Sequence, residues 1–105
     1  MNLQHLQKRF IPMSETMFYI LSSLTEARHG YGIMQHVEKL TRGRIVLGAG
    51  TVYQSLSKLE KEKLIVVVRE YDRKKEYIAT EAGRVILQKE AARICELYQV
   101  AKELV

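Results

Sequence analysis

The period of the apolar residues changes abruptly at Leu64, and that change limits what this chain can fold into. Before it, Val52, Leu56 and Leu59 recur at i, i+4 and i+7 within residues 48–64, one stripe of an α-helix. After it, Ile65-Val66-Val67-Val68-Arg69-Glu70-Tyr71 is β-branched and then alternating, the pattern of a strand. Lys75-Glu76-Tyr77-Ile78-Ala79 reads as its partner, and Asp72-Arg73-Lys74 between them is short enough for a tight hairpin with a cationic tip. A helix running straight into a hairpin, in a chain of 105 residues, leaves room for one domain with a modest core.

Upstream, Leu3, Leu6, Phe10 and Ile11 predict a short amphipathic helix over residues 2–11, stopped by Pro12. Ser14 as N-cap and Glu15 in the first turn open a second helix. Its run Met17-Phe18-Tyr19-Ile20-Leu21, continued by Leu24 and Ala27, is apolar on most faces and predicts a core helix ending near His29-Gly30 with glycine as C-cap. A third helix, from around Tyr31-Gly32, carries Ile33, Val37 and Leu40 and stops at Gly43. Ile45-Val46-Leu47 is long enough only for a brief β-segment. Helix, helix, short strand, helix and a basic-tipped hairpin is the order of a winged helix-turn-helix domain, mainly α, over residues 1–79.

The last stretch, residues 80–105, opens on Thr80 as N-cap with Glu81 behind it and contains no proline. As one helix it would be about 39 Å long. Leu87, Ala91, Ile94, Tyr98, Ala101 and Val105 form an unbroken heptad seam along it. A helix of that length exceeds what the small domain covers. It is expected to be a dimerisation helix against a second copy, the alternative being a helix folded back on its own core.

Charge is concentrated in the middle of the chain. Between Arg42 and Lys75 stand nine bases against four acids, while the remaining eight bases and eight acids cancel. A polyanion such as DNA suits a cationic surface localised in this way. On the helix before Leu64, Gln54, Ser57, Lys58 and Lys61 gather opposite the apolar stripe, with no carboxylate among them. Gln54 and Ser57 are candidates for base-edge contacts, glutamine being able to pair bidentately with adenine. Lys58, Lys61 and Arg73 suit phosphates. Arg42 and Arg44 either extend the basic face or are solvated loop charges. The glycines of Gly48-Ala49-Gly50 either offer bare N–H groups to a phosphate or serve only the turn.

Other functional classes find little support. His5, His29 and His36 include no i, i+4 pair and lie far from the single cysteine, Cys95, so no metal or other cofactor is expected. Cys95 is one position off the seam and reads as a small buried hydrophobe. Asp72, the only aspartate, stands at the hairpin tip, and no nucleophile elbow, phosphate loop or zinc-protease motif occurs, so enzyme chemistry is not expected. Neither a membrane-spanning run nor a secretory leader is apparent, and one unpaired cysteine suits a cytoplasmic protein.

From Met13 through Leu87 the chain resembles the PadR family of bacterial transcriptional regulators. The likeness is carried by His29-Gly30-Tyr31-Gly32-Ile33, Gly50-Thr51-Val52-Tyr53, Leu56-Ser57-Lys58-Leu59-Glu60, Leu64-Ile65 and Tyr77-Ile78-Ala79-Thr80-Glu81-Ala82-Gly83. The resemblance implies a homodimer, formed by the C-terminal helix, that binds a roughly palindromic operator and represses. It also implies backbone contacts from Thr51, Tyr53, Arg73 and Lys74. Some small members hold flat aromatic drugs in a pore between subunits, using a tryptophan on the last helix. This chain has no tryptophan, and Tyr98, with Ile94, takes that place as the candidate cavity for a small hydrophobic effector. Gly48-Ala49-Gly50 also departs from the family's Ser-Pro-Gly type of start. The alternative function is a winged-helix protein-interaction module without sequence-specific DNA binding.

Overall fold

The computed structural model describes residues 2–105. Five helices, α1 (Leu3–Phe10), α2 (Glu15–Ser23), α3 (Gly30–Leu40), α4 (Ala49–Lys61) and α5 (Glu81–Ala101), surround a three-stranded antiparallel sheet. The strands are β1 (Arg28–His29), β2 (Ile65–Tyr71) and β3 (Lys74–Ala79), in the order β1-β3-β2. A 3₁₀ turn, Lys102–Leu104, ends the chain's helical run. One core joins Ile20, Leu21 and Leu24 to Ile33 and Val37, to Val52, Leu56 and Leu59, and to Leu64, Ile65, Tyr77, Ala79 and Ile86. Leu6 and Phe10 of α1 close it from outside.

Four helix starts are held by side chains that accept an orphan backbone N–H. Asn2 accepts from His5, Ser14 from Met17 and Thr80 from Gly83. At α3 the cap is an imidazole, His29 Nδ1 accepting the Gly32 N–H at 3.0 Å. Among the described α-helices, α4, entered through Gly48, is the one without a side-chain cap.

The helix predicted to run to His29-Gly30 stops at Ser23. Ser22 and Ser23 both turn their hydroxyls onto the Tyr19 carbonyl, at 3.0 and 2.7 Å, in competition with the helix ladder. The Arg28 guanidinium then takes the Ser23 carbonyl. Ala27 is consequently exposed rather than in the core, and Gly30 opens α3 rather than capping α2. The third strand is also misplaced in the sequence reading. Residues 45–47 are not a strand, because β1 and β2 already occupy both edges of β3. Thr41 instead holds this segment, its Oγ1 accepting the Ile45 N–H at 3.1 Å, and Leu47 turns into the core.

Helix α5 divides in two. Its first half packs on the domain through Gly83, Ile86 and Glu90, with Leu87 half-buried beside them. A Cβ at position 83 would lie 2.0 Å from the Leu64 carbonyl oxygen, so only glycine permits that approach. From Cys95 onward every residue is exposed, including Tyr98, Ala101 and Val105 of the predicted seam, and Leu97 and Leu104, which that seam omitted. Cys95 is exposed and not the buried hydrophobe expected of it, because the domain's cover of α5 ends at Ile94.

Glu90 is fully buried yet fully partnered. Its carboxylate accepts the Met13 N–H at 2.7 Å and both Nε and Nη2 of Arg93 at 2.7 and 2.8 Å. The Arg93 hydrogen bonds, aided by Met13 and opposed by burial, hold this carboxyl below its ordinary 4.5. A depressed carboxyl contributes stability that is complete above its unfolded pKa and is lost as pH falls through the folded value. Glu90→Ala is therefore expected to cost about 2 kcal/mol near neutrality. Melting temperature should fall below about pH 4 more steeply for the wild type than for the variant. Parallel acid profiles would refute this role.

Candidate nucleic-acid interface

Helix α4 buries Val52, Leu56 and Leu59 and leaves Thr51, Tyr53, Gln54, Ser57, Lys58 and Lys61 exposed, as its period requires. Of the two acids near its end, Glu60 is exposed and Glu62 is paired within the domain. Glu62 meets Arg9 at 2.8 Å and His5 at 3.7 Å, both on α1. Lys58 is also drawn toward α1, its Nζ 5.4 Å from the centre of the Phe10 ring. Lys61 forms no ion pair among the described residues.

The wing is a hairpin with a bulge between Val67 and Arg69, and its central residues are Asp72 and Arg73, since Tyr71 pairs with Lys74. Its one half-buried acid, Glu76, is matched on the sheet by Arg69 at 3.7 Å and by the Tyr71 hydroxyl, which donates at 2.9 Å. That hydrogen bond is the main reason the Tyr71 phenol titrates above its ordinary value. Arg73, Lys74 and Lys75 extend into solvent at the tip.

Between wing tip, α3 and α4 lies a cleft of about 170 Å³ lined by His29, Tyr31, Tyr53, Arg73, Lys74, Lys75 and Tyr77. None of these is acidic. Three cations, two exposed phenols and the start of α3 face one groove, which suits a phosphate chain. Thr51, Gln54, Ser57 and Lys61 do not line it and stay on the open face of α4. Sequence reasoning anticipated Tyr53, Arg73 and Lys74 here but missed His29, Tyr31 and Lys75. Gly30-Tyr31-Gly32 at a helix start was the available signal. Arg44 is engaged elsewhere, with Glu15 at 3.0 Å.

The candidate effector residues separate. Ile94 lines a groove of about 280 Å³ with Met13, Ser14, Glu15, Phe18, Tyr19 and Arg93, between α2 and α5. Tyr98 is not part of it and stands exposed one turn further on, with Lys102 Nζ 5.9 Å from its ring centre. Among the described residues no helix is long and apolar enough to cross a membrane, and no group of three His, Cys, Asp or Glu could hold a metal.

Three helices with a basic two-stranded wing, closed by a third short strand, make this a winged helix-turn-helix protein. The profile of the transcriptional regulator PadR-like family matches residues 18–89, and the chain belongs to that family. That family is described as one of transcriptional regulators. The transcriptional regulator YqjI of Escherichia coli (strain K12) is 29% identical over 89 residues, covering 84% of this chain and 43% of YqjI. The chain spans less than half the length of the curated relatives it matches. Among solved structures, a PadR-like transcriptional regulator from Bacillus cereus strain ATCC 14579 superposes with a TM-score of 0.73 at 20% identity, covering 95% of each chain. Bacillus subtilis PadR, solved in complex with operator DNA, gives 0.61 at 22%, covering 72% of this chain and 47% of that one. At these identities the likeness is one of fold.

Tyr53 owes its position to a missing side chain. A Cβ at Gly30 would lie 2.7 Å from the Tyr53 hydroxyl oxygen and 2.8 Å from Cζ. Since the ring end of a side chain yields before backbone does, Gly30→Ala is expected to change stability by less than about 1 kcal/mol while swinging the Tyr53 ring out of the cleft. Tyr53 ring resonances should shift with the core methyl spectrum kept. A general loss of methyl dispersion would mean that the backbone had moved instead.

Proposed function

We propose that this protein binds double-stranded DNA sequence-specifically as a homodimer in the cytoplasm and represses transcription from a roughly palindromic operator. The observation that carries this reading is the juxtaposition of α4's carboxylate-free outer face with the cationic, acid-free cleft under the wing. Gln54 and Ser57 read base edges, while Thr51, Tyr53, Lys58, Lys61, Arg73 and Lys74 hold phosphates. His29, Tyr31 and Lys75 join the second set through the cleft.

Residues 1–79 serve as the DNA-binding unit and residues 80–105 as the dimerisation helix. Supporting this is the apolar stripe of Ile94, Leu97, Tyr98, Ala101, Leu104 and Val105, which the domain leaves uncovered beyond Ile94, with Leu87 and Ala91 continuing it toward the core. A second copy is the natural cover, since self-association pairs like with like. The two copies of α4 then enter major grooves about one helical turn, ~34–36 Å, apart. The α2–α5 groove at Ile94 is the place for a small hydrophobic effector that releases the operator, with Tyr98 at the rim of the same interface.

Affinity for an operator duplex, measured across salt concentrations, tests the DNA reading. The logarithmic slope is expected to be steep, and Lys61→Ala should make it shallower by about 1 to 2 units per dimer. Gln54→Ala should leave the slope alone and cut the preference for operator over random duplex about tenfold. Weak binding that ignores salt would favour a protein-interaction module instead. For the dimer, sedimentation velocity on Leu97→Asp is expected to show a monomer of unchanged helical content. A variant that still sediments as a dimer would exclude this stripe as the interface.

A further inference from the structure

One guanidinium fastens the end of α2, the strand β1 and the middle of α3 to one another. Arg28 of β1, whose side chain is only 23% exposed, donates through Nη1 to the Ser23 carbonyl at the end of α2. Through Nη2 it reaches Glu26 at 3.5 Å and Nδ1 of His36 on α3 at 3.4 Å. A guanidinium carries donors only, so Nδ1 of His36 can accept from it only while that nitrogen bears no proton. Strand β1 is the far side of this fastening. Its two residues pair with β3, Arg28 with Tyr77 and His29 with Glu76, and His29 caps α3 and lines the cleft under the wing.

The arrangement is complete only around a neutral imidazole. A proton on His36 would set a second cation against the guanidinium, with hydrogens facing hydrogens. The charged groups that act on His36 are Arg28 from β1, Glu26 from the connection between α2 and β1, and Lys39 from its own helix. Glu26, the one acid of the three, is 79% exposed and offsets little of the repulsion. Burial first and then Arg28, with Lys39 behind them, outweigh Glu26 and hold the imidazole below its ordinary 6.5. For a histidine depressed in this way, the stability it confers is complete above the unfolded pKa and is lost as pH falls toward the folded one. The loss falls on β1, because a strand of two residues has few ladder bonds to keep it in place. We propose that His36 is a proton-operated release: a proton on its Nδ1 drives Arg28 off the end of α2 and frees β1 to open from β3, so that acid loosens the side of the cleft formed by His29. The release belongs to the fold and stands apart from the DNA-binding reading above.

Amide hydrogen exchange of the full chain at about pH 7.5 and about pH 5, on either side of the ordinary histidine value, tests it in wild type, His36→Gln and Arg28→Met. Glutamine keeps an acceptor for Arg28 and does not titrate. After correction for intrinsic rates, the wild-type amides that join β1 to β3 should lose about tenfold in protection at the lower pH, while those that join β2 to β3 hold theirs. His36→Gln should keep its β1 protection at both pH values. Arg28→Met should be weakly protected there at both. Wild-type protection that ignores pH, or a His36→Gln variant that loses protection as wild type does, would overturn the proposal, the latter in favour of His29, the histidine of β1 itself. Full β1 protection in Arg28→Met would show that the guanidinium is not the fastening. An equal loss across both strand pairs would mean a general drop in stability and would also overturn a release confined to β1.

Discussion

The carbonyls of Lys63 and Leu64 are the knot on which the arrangement of α4, wing and α5 depends. Lys63 turns left-handed and lets the Leu64 N–H close back on Leu59 at 2.9 Å, ending α4. The Thr80 N–H donates to the Leu64 carbonyl at 2.9 Å, and its hydroxyl donates to that of Lys63 at 2.7 Å. Thr80 caps α5 with the same oxygen, and Gly83 brings the helix backbone against Leu64. The end of α4, the start of β2, the end of β3 and the start of α5 therefore meet within a few hydrogen bonds. In the proposed dimer this matters directly. The interface is on α5 and the reading face on α4, and a rigid junction between them is what would convert one fixed interface into one fixed half-site spacing.

Charge is sorted more finely than its net value suggests. In and around the central segment, Glu62 is tied to α1 and Glu76 to Arg69 and Tyr71. Lys58 is partly withdrawn over Phe10 and Arg44 is paired with Glu15. Lys61 on the helix and Arg73, Lys74 and Lys75 on the wing stay outward and without an ion pair among the described residues, and no acid lines the cleft between wing and helix. Surface ion pairs of this kind contribute little to stability. Their consequence here is electrostatic direction, because the pairing of Glu62 and Glu76 neutralises two acids beside the exposed cations of α4 and the wing.

Much of this was legible in the sequence where a period or a cap carried it. The stripe Val52, Leu56 and Leu59, the β-branched run after Leu64 and the Thr80 cap each depend on neighbours within a few residues, and each appears as expected. Strand β1 was not legible, because two residues, Arg28 and His29, carry no periodicity and become a strand only when β3 offers an edge. The opposite error arose at Ile45-Val46-Leu47, whose β-branching reflects a segment that plugs the core with Leu47 while no edge is free to pair it. The cleft gathers residues from three separate stretches, so the contribution of His29, Tyr31 and Lys75 emerges only once the wing folds over the start of α3.

Glu90 shows what pattern reading cannot supply. On the heptad count it is an ordinary polar position, yet it is buried where α5 crosses the chain between α1 and α2. The Met13 N–H follows Pro12, lies outside any helix ladder and needs an acceptor, which only a side chain from α5 provides. A hydrophobic residue there would leave that N–H unpaired, and a buried pair of this kind adds little stability over a well-packed apolar alternative. What the pair adds is register. Sliding α5 by one residue along the domain would swing Glu90 away from Met13 by about 100° and leave the Met13 N–H without its acceptor. The carboxylate thus sets where the covered half of α5 ends, and with it how much of the apolar stripe is left for another molecule.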